Sequence, residues 1–262
     1  MAWTSEEKGA ILTMNDTSTM NRKLIVSVLM AGAFVTILNQ TLMLIAIPPI
    51  MHEFGIDPSM GQWLTTAFLL TNGVLIPITA FLIEKFSTRA LLFAALSIFF
   101  IGTLVGAFAP NFSVLLLARV IQAGGAGIMM PLMQTVMLSI YPPEKRGSAM
   151  GMFGLVIAFA PAIGPTLSGF ILDHFTWRYL FYIVLPITAV TLIFSILFMK
   201  NVTSQRASSV DMVSIIFSTF GWGGLLYGFS IAGRLGWDSN VVLIALVVGV
   251  LSLTVFIKRQ FT

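Results

Sequence analysis

Cysteine is absent from this 262-residue chain, and histidine occurs only twice, at His52 and His174. Without thiols there is no disulfide and no thiolate metal site. Two histidines so far apart in sequence do not suggest zinc either, so no metal is expected. Charge is equally scarce. Asp, Glu, Lys and Arg make up 9% of residues, against about a quarter in an ordinary soluble domain. That excludes a water-soluble globule. The chain has no G-x-x-x-x-G-K-[ST] sequence, no HExxH and no Ser/His/Asp set, so neither ATP hydrolysis nor other enzymatic chemistry is expected. The GGAG at 124–127 follows no strand and lies in an apolar run, which removes the context a nucleotide-binding turn requires.

Hydrophobic residues fill 57% of the chain, with mean hydropathy +0.97. Apolar runs cover 24–50, 61–83, 90–109, 113–138, 147–172, 178–199, 211–233 and 239–257. Each is near the ~20 residues that a helix needs to cross about 30 Å of hydrocarbon, and backbone hydrogen bonding in lipid favours helices at this length. The first run, about 27 residues with no small-residue cleavage site behind it, is a membrane span rather than a signal peptide. An all-α, multi-pass membrane protein is expected. Its fifteen methionines and 22 phenylalanines are read mainly as lipid-facing packing.

Orientation follows from the basic residues. With the N-terminus inside, cytosolic segments hold Lys8, Arg22, Lys23, Lys85, Arg89, Lys145, Arg146, Lys200, Arg206, Lys258 and Arg259, whereas outer segments hold only Arg178 and Arg234. This positive-inside bias places both ends of the chain in the cytosol of a plasma-membrane protein. The net charge of +4 records this bias, and no nucleic-acid partner is expected. Trp63, Trp177 and Trp237 fall at outer ends, as an interfacial aromatic belt would. The expected organisation is a cytosolic polar tail at 1–23, a six-helix bundle at 24–200, a cytosolic linker at 201–210 and two further membrane helices at 211–262. A glycosylation sequon at 201–203 is discounted because a cytosolic loop does not meet the enzyme.

Three features carry polar chemistry inside these runs. Arg119 interrupts the fourth run about six residues, or ~9 Å, below its outer end. It either snorkels to the interface or faces protein and water; Gln122 on the same face, beside the small patch 124–127, favours the second. Asn39, Gln40 and Thr41 interrupt the first run at a similar depth. They either glue helices together or hydrogen-bond Arg119. In the fifth run Ala160, Gly164 and Ser168 recur every four residues beside Pro161, Pro165 and Gly169. Such a stripe admits close helix packing, and the prolines favour a hinge or bent gate wall.

In this order, the residues resemble the major facilitator superfamily, specifically its fourteen-span drug:proton antiporter branch (the EmrB/QacA type). Four stretches carry the likeness: Leu38 to Pro48 in the first span, Ala80 to Arg89 in the following loop, Arg119 to Pro131 in the fourth span, and Gly164 to Gly169 in the fifth, followed by WRY at 177–179. The helices at 211–257 resemble the extra pair separating the two six-helix halves in that branch. The resemblance implies a 3+3 inverted repeat whose first and fourth helices line a central cavity. It also implies proton-driven export of small hydrophobic or cationic drugs by alternating access, with the proton gradient as energy source and no cofactor. Arg119, Gln122, Asn39 and Gln40 would then be cavity residues. Pro161, Gly164, Pro165, Ser168 and Gly169 would shape the gate. Glu84, Lys85 and Arg89 would latch the cytosolic side.

Two departures stand out. Asn39 occupies the place of the family's first-span carboxylate, and an amide cannot titrate. The chain also ends six helices short of fourteen spans. It is therefore expected to be a fragment or natural truncation, or to pair with another membrane polypeptide. A non-transporting membrane protein that keeps the fold is the alternative.

Overall fold

The computed structural model describes residues 22–202 and 211–260. Most of the expected polar tail, and the linker from 203 with Arg206 and the last sequon residue, lie outside the described residues. Eight helices follow in order: α1 (Arg22–Phe54), α2 (Pro58–Lys85), α3 (Thr88–Ala107), α4 (Phe112–Ile140), α5 (Pro143–His174), α6 (Arg178–Phe198), α7 (Met212–Leu235) and α8 (Asn240–Gln260). All eight are long and apolar enough to cross a membrane, and there is no strand among the described residues.

Most helices overrun the apolar runs, because polar residues that read as loop are caps and first turns. The side chain of Asp57 accepts from the backbone N–H of Met60 at 2.9 Å, with Pro58 opening α2. Ser87 and Asn111 cap α3 and α4 in the same way. Each cap satisfies an N–H that would otherwise lack a partner at the helix start. The EKR at 144–146, in the connection from α4, lies in the first turn of α5, where Glu144 complements the helix dipole.

The first six helices pair as a two-fold repeat requires. α2 packs on α4 as α5 packs on α1; α3 meets α4 as α6 meets α1; and the pairs α1–α4 and α3–α6 map onto themselves. Helices α1 and α4 are thus mates at the centre. Two apolar cores fill the bundle. One, around Leu42, Phe68, Phe99 and Phe181, lies towards the end where α1 finishes. The other, around Leu29, Leu92, Met129, Met133 and Met137, lies towards the end rich in Lys and Arg. These methionines pack inside rather than facing lipid, where flexible thioethers fill irregular gaps.

Helices α7 and α8 form a hairpin that leans on α2. Gly224 and Gly249 touch backbone to backbone: a Cβ on Gly224 would come within 3.0 Å of the Gly249 Cα. Such contacts replace the hydrophobic drive that lipid cannot supply. At the basic end Asp211 closes the hairpin, accepting from Arg259 Nε at 2.6 Å and from the Ser214 hydroxyl at 2.5 Å. Arg259, aided by Ser214, holds the Asp211 carboxyl below the usual carboxylate range.

One expected belt residue does not face lipid. Trp177 is 2% exposed. Its indole N–H donates to Glu53 Oε2 at 2.7 Å, while Arg178 Nη1 donates to Oε1 at 2.7 Å and Arg178 Nη2 to the Ala109 carbonyl at 3.1 Å. This corner ties the end of α1 to the α3–α4 and α5–α6 turns. Burial follows from the partner: Glu53 gives the indole N–H an acceptor inside the protein, so it does not need the lipid–water boundary. Trp237 is exposed, and Trp63 is half-buried beside Tyr227 at 6.4 Å. Glu53→Ala leaves a buried indole N–H without an acceptor, an expected cost of about 1–3 kcal/mol. In chemical denaturation the loss should shrink when Trp177 is already Phe; an undiminished loss in that background refutes the assignment of the cost to the indole.

Candidate functional site

Arg119 lies eight residues into α4 and is 0% exposed. The depth deduced from the sequence brings it level with the amides of α1. Its Nη1 donates to Asn39 Oδ1 at 2.8 Å and to Gln122 Oε1 at 2.8 Å. Its Nε donates to the carbonyl of Leu64 on α2 at 3.2 Å. The Phe68 ring, one turn along α2, faces the guanidinium at 4.3 Å, a cation–π contact. Gln122 Nε2 passes the chain on to the Thr103 hydroxyl of α3 at 2.9 Å, and Thr103 donates to the Phe99 carbonyl at 2.7 Å. Three helices therefore meet at the guanidinium, and Gln122 extends the network to a fourth, α3.

None of these partners is a carboxylate. The ion pairs among the described residues are Arg178–Glu53 and Arg259–Asp211, both at helix ends. A fully buried cation with neutral partners retains a large part of its desolvation cost. Part of its hydrogen-bonding capacity also goes unused, since Nη2 is buried without a partner. The site is thus a positive, preorganised point with spare donors in the middle of a bundle. It can attract an anion, a carboxylate or the oxygen of a polar group, and it opposes a second cation placed beside it.

The expected cavity residues divide. Arg119, Gln122 and Asn39 form one network, whereas Gln40 is half-buried on α1 and does not join it. Thr103, Phe68 and the Leu64 carbonyl belong to the network without being among the expected residues. The gate stripe divides as well. Ala160, Gly164 and Ser168 are buried against α1. A Cβ on Gly164 would meet Thr41 Cγ2 at 2.5 Å, and the Ser168 hydroxyl donates to the Leu42 carbonyl at 3.3 Å. Pro161 and Pro165 are exposed on another face, and a Cβ on Gly169 would meet nothing within 4 Å. Close packing accounts for the first three. Of the expected latch, Arg89 donates from Nη2 to the Ile196 carbonyl in the last turn of α6 at 2.7 Å, while Glu84 and Lys85 are exposed at the end of α2.

The major facilitator superfamily pattern matches residues 29–261. The chain belongs to that superfamily. An uncharacterized transporter of this type from Bacillus subtilis, YcnB, is 65% identical over 240 residues, covering 92% of this chain and 51% of the relative. The lincomycin resistance protein LmrB of the same organism is 45% identical over 241 residues, covering 91% of this chain and 50% of LmrB. Among solved structures, the human organic anion transporter MFSD10 superposes with TM-score 0.64 at 17% identity, covering 86% of this chain and 59% of that one. That likeness concerns the fold alone. The chain spans about half the length of the curated relatives it matches. Its described residues form eight helices of a multi-pass membrane transporter fold, and its homologues are transporters.

Proposed function

We propose that this chain is the N-terminal half, with two linking helices, of a proton-coupled multidrug efflux antiporter that works by alternating access. The observation that carries the reading is the buried network of Arg119, Asn39 and Gln122. It joins the central mates α1 and α4 and brings α2 and α3 to the same point. A transporter core needs such a polar centre at mid-bundle, where a substrate group or a proton-carrying acid can exchange with the amides. The relative LmrB, a lincomycin resistance protein, supports drugs as the substrate class. The basic ends of the helices support a plasma-membrane orientation with both described ends in the cytosol.

In this reading six helices form the bundle at 24–200, and 211–262 is the linking pair. The exposed prolines of α5 offer a wall to the second half. Arg89 steadies the cytosolic ends of α3 and α6, with Glu84 and Lys85 beside it. The amide at Asn39 moves the titrating acid away from the first helix, so coupling relies on an acid at a helix end or in the second half. No cofactor takes part, and the proton gradient supplies the energy.

The test is proteoliposomes holding the full-length transporter, an imposed pH gradient and a panel of hydrophobic cationic dyes. Dye efflux driven by the gradient and stopped by a protonophore is the expected result. No gradient-driven flux of any dye, by protein correctly inserted, overturns the proposal in favour of a non-transporting membrane protein that retains the fold.

A further inference from the structure

Another polar feature lies far from the Arg119 network, on the seam between α2 and α7 at the end opposite the basic loops. On α2, Ser59, Gln62 and Thr66 recur at helical spacing. On the antiparallel α7, Ser230 and Arg234 face them, and with Trp63 they are among the residues lining a cavity of about 420 Å³. Further along the same two helices, Leu70 and Val74 of α2 and Gly223 and Tyr227 of α7 line a second, apolar cavity of about 430 Å³. The rings of Trp63 and Tyr227, 6.4 Å apart, border the two. From Ser59 to Thr66 the helix rises about 10 Å, enough to pass from the headgroup layer into hydrocarbon.

The cation in the upper cavity has no carboxylate among the residues lining it. Arg178 and Arg259 each have a carboxylate partner, whereas Arg234 is in no ion pair among the described residues. The nearby Asp57 does not line the cavity, and its side chain is occupied in capping α2. One cation, three hydroxyls and an amide therefore converge above an apolar groove held open at Gly223, whose added Cβ would reach only Val74 Cγ2, at 3.5 Å.

We propose that this seam binds one anionic glycerophospholipid from the leaflet at that end. Arg234 receives the phosphate by a charge-assisted hydrogen bond, and Gln62 and the hydroxyls take up the glycerol and headgroup oxygens. One acyl chain descends along Leu70 and Val74. A free inorganic anion makes no use of the apolar groove, and an uncharged lipid makes no use of Arg234. The bound lipid bridges α2 and the α7–α8 hairpin, whose contact with the bundle is otherwise largely apolar.

Native mass spectrometry of the detergent-purified protein tests this, with phosphatidylglycerol and phosphatidylcholine of identical acyl chains as probes. The expected result is one phosphatidylglycerol retained in preference to phosphatidylcholine. Arg234→Gln should weaken that retention about tenfold, the scale of one charge-assisted bond. Gly223→Leu, which fills the groove and leaves the cation intact, should weaken it too. Soluble glycerophosphoglycerol at millimolar concentration should not displace the lipid. Equal retention of both lipids by the unaltered protein overturns the proposal, as does full retention by a folded Arg234→Gln variant. Displacement by the soluble headgroup identifies a plain anion site and overturns it as well. The comparison of lipids and the headgroup competition need no variant, so they decide the question even if a substitution impairs folding.

Discussion

Arg119→Ala in the full-length transporter is expected to reduce drug export by about two orders of magnitude, the equivalent of ~3 kcal/mol for a charged hydrogen-bonding group. The amount of protein in the membrane should stay the same. Two physical facts make this combination specific. Arg119 is the one charge at the meeting point of α1, α2, α3 and α4, so its removal dissolves three hydrogen bonds and the contact with Phe68 at once. Yet no carboxylate depends on it, so no buried counter-charge is left behind. Removing one member of a buried ion pair is costly because the partner is stranded. Here the groups left behind are amides and a helical carbonyl, which can pair with one another or with water. Arg119→Lys should recover only part of the activity. A single ammonium has no planar fork with which to hold the Leu64 carbonyl on one side and Asn39 with Gln122 on the other. Undiminished drug resistance in the alanine variant, at equal membrane abundance, rejects a role for the network in transport.

The network also shows how far a sequence can be read. Depth along a helix is arithmetic, and it placed Arg119 level with Asn39; the two are hydrogen-bonded at 2.8 Å. Gln122 was legible because three residues along a helix return to the same face. Gln40, adjacent to Asn39, shows the limit. Neighbouring residues on a helix diverge by about 100°, and only helix rotation, set by packing, decides which of the two points inward. Thr103 was hidden for a different reason. A threonine in an apolar run satisfies its hydroxyl on its own helix, as Thr103 does with Phe99, so nothing in the sequence separates it from Thr188 or Thr191, which do the same. The Leu64 carbonyl has no sequence signature at all.

The small residues of α5 raise a related point. Their spacing announced a close contact, and Gly164 makes it with Thr41. The prolines of the same stretch lie elsewhere on the helix, exposed, so the close-packed small residues and the prolines occupy different faces of one segment. The eight helices were legible because hydrophobic length is a strong signal. Their ends were shifted by polar caps that composition alone assigns to loops. Trp177 does lie at a helix end, but its burial was not legible, because the aromatic-belt rule is statistical and the acceptor that buries it, Glu53, comes from more than a hundred residues away.

The second large effect concerns the helix pair that carries the site. Gly125→Ala should destabilise this chain by about 1–3 kcal/mol, although the substitution favours an isolated helix. The reason is what surrounds the glycine. A Cβ there would overlap the Ala95 carbonyl oxygen of α3 and would come within 2.8 Å of the Phe99 backbone nitrogen. Backbone atoms inside a helix cannot turn aside as a side chain can, so α3 and α4 must separate. Gly102, on α3, makes the reciprocal contact, with a Cβ reaching the Gln122 nitrogen at 2.6 Å. The 2.9 Å bond from Gln122 to Thr103 lies beside Gly102 on the same interface, so separation loosens the Arg119 network as well as the fold. Gly151→Ala is the matched control. Its Cβ would meet nothing within 4 Å, so only the helix-propensity gain of about 0.5–1 kcal/mol remains. The two variants share one chemical change and should shift the thermal unfolding midpoint in detergent in opposite directions. Equal midpoints would show that the α3–α4 interface has slack, and that close backbone contact is not what holds Gln122 against Thr103.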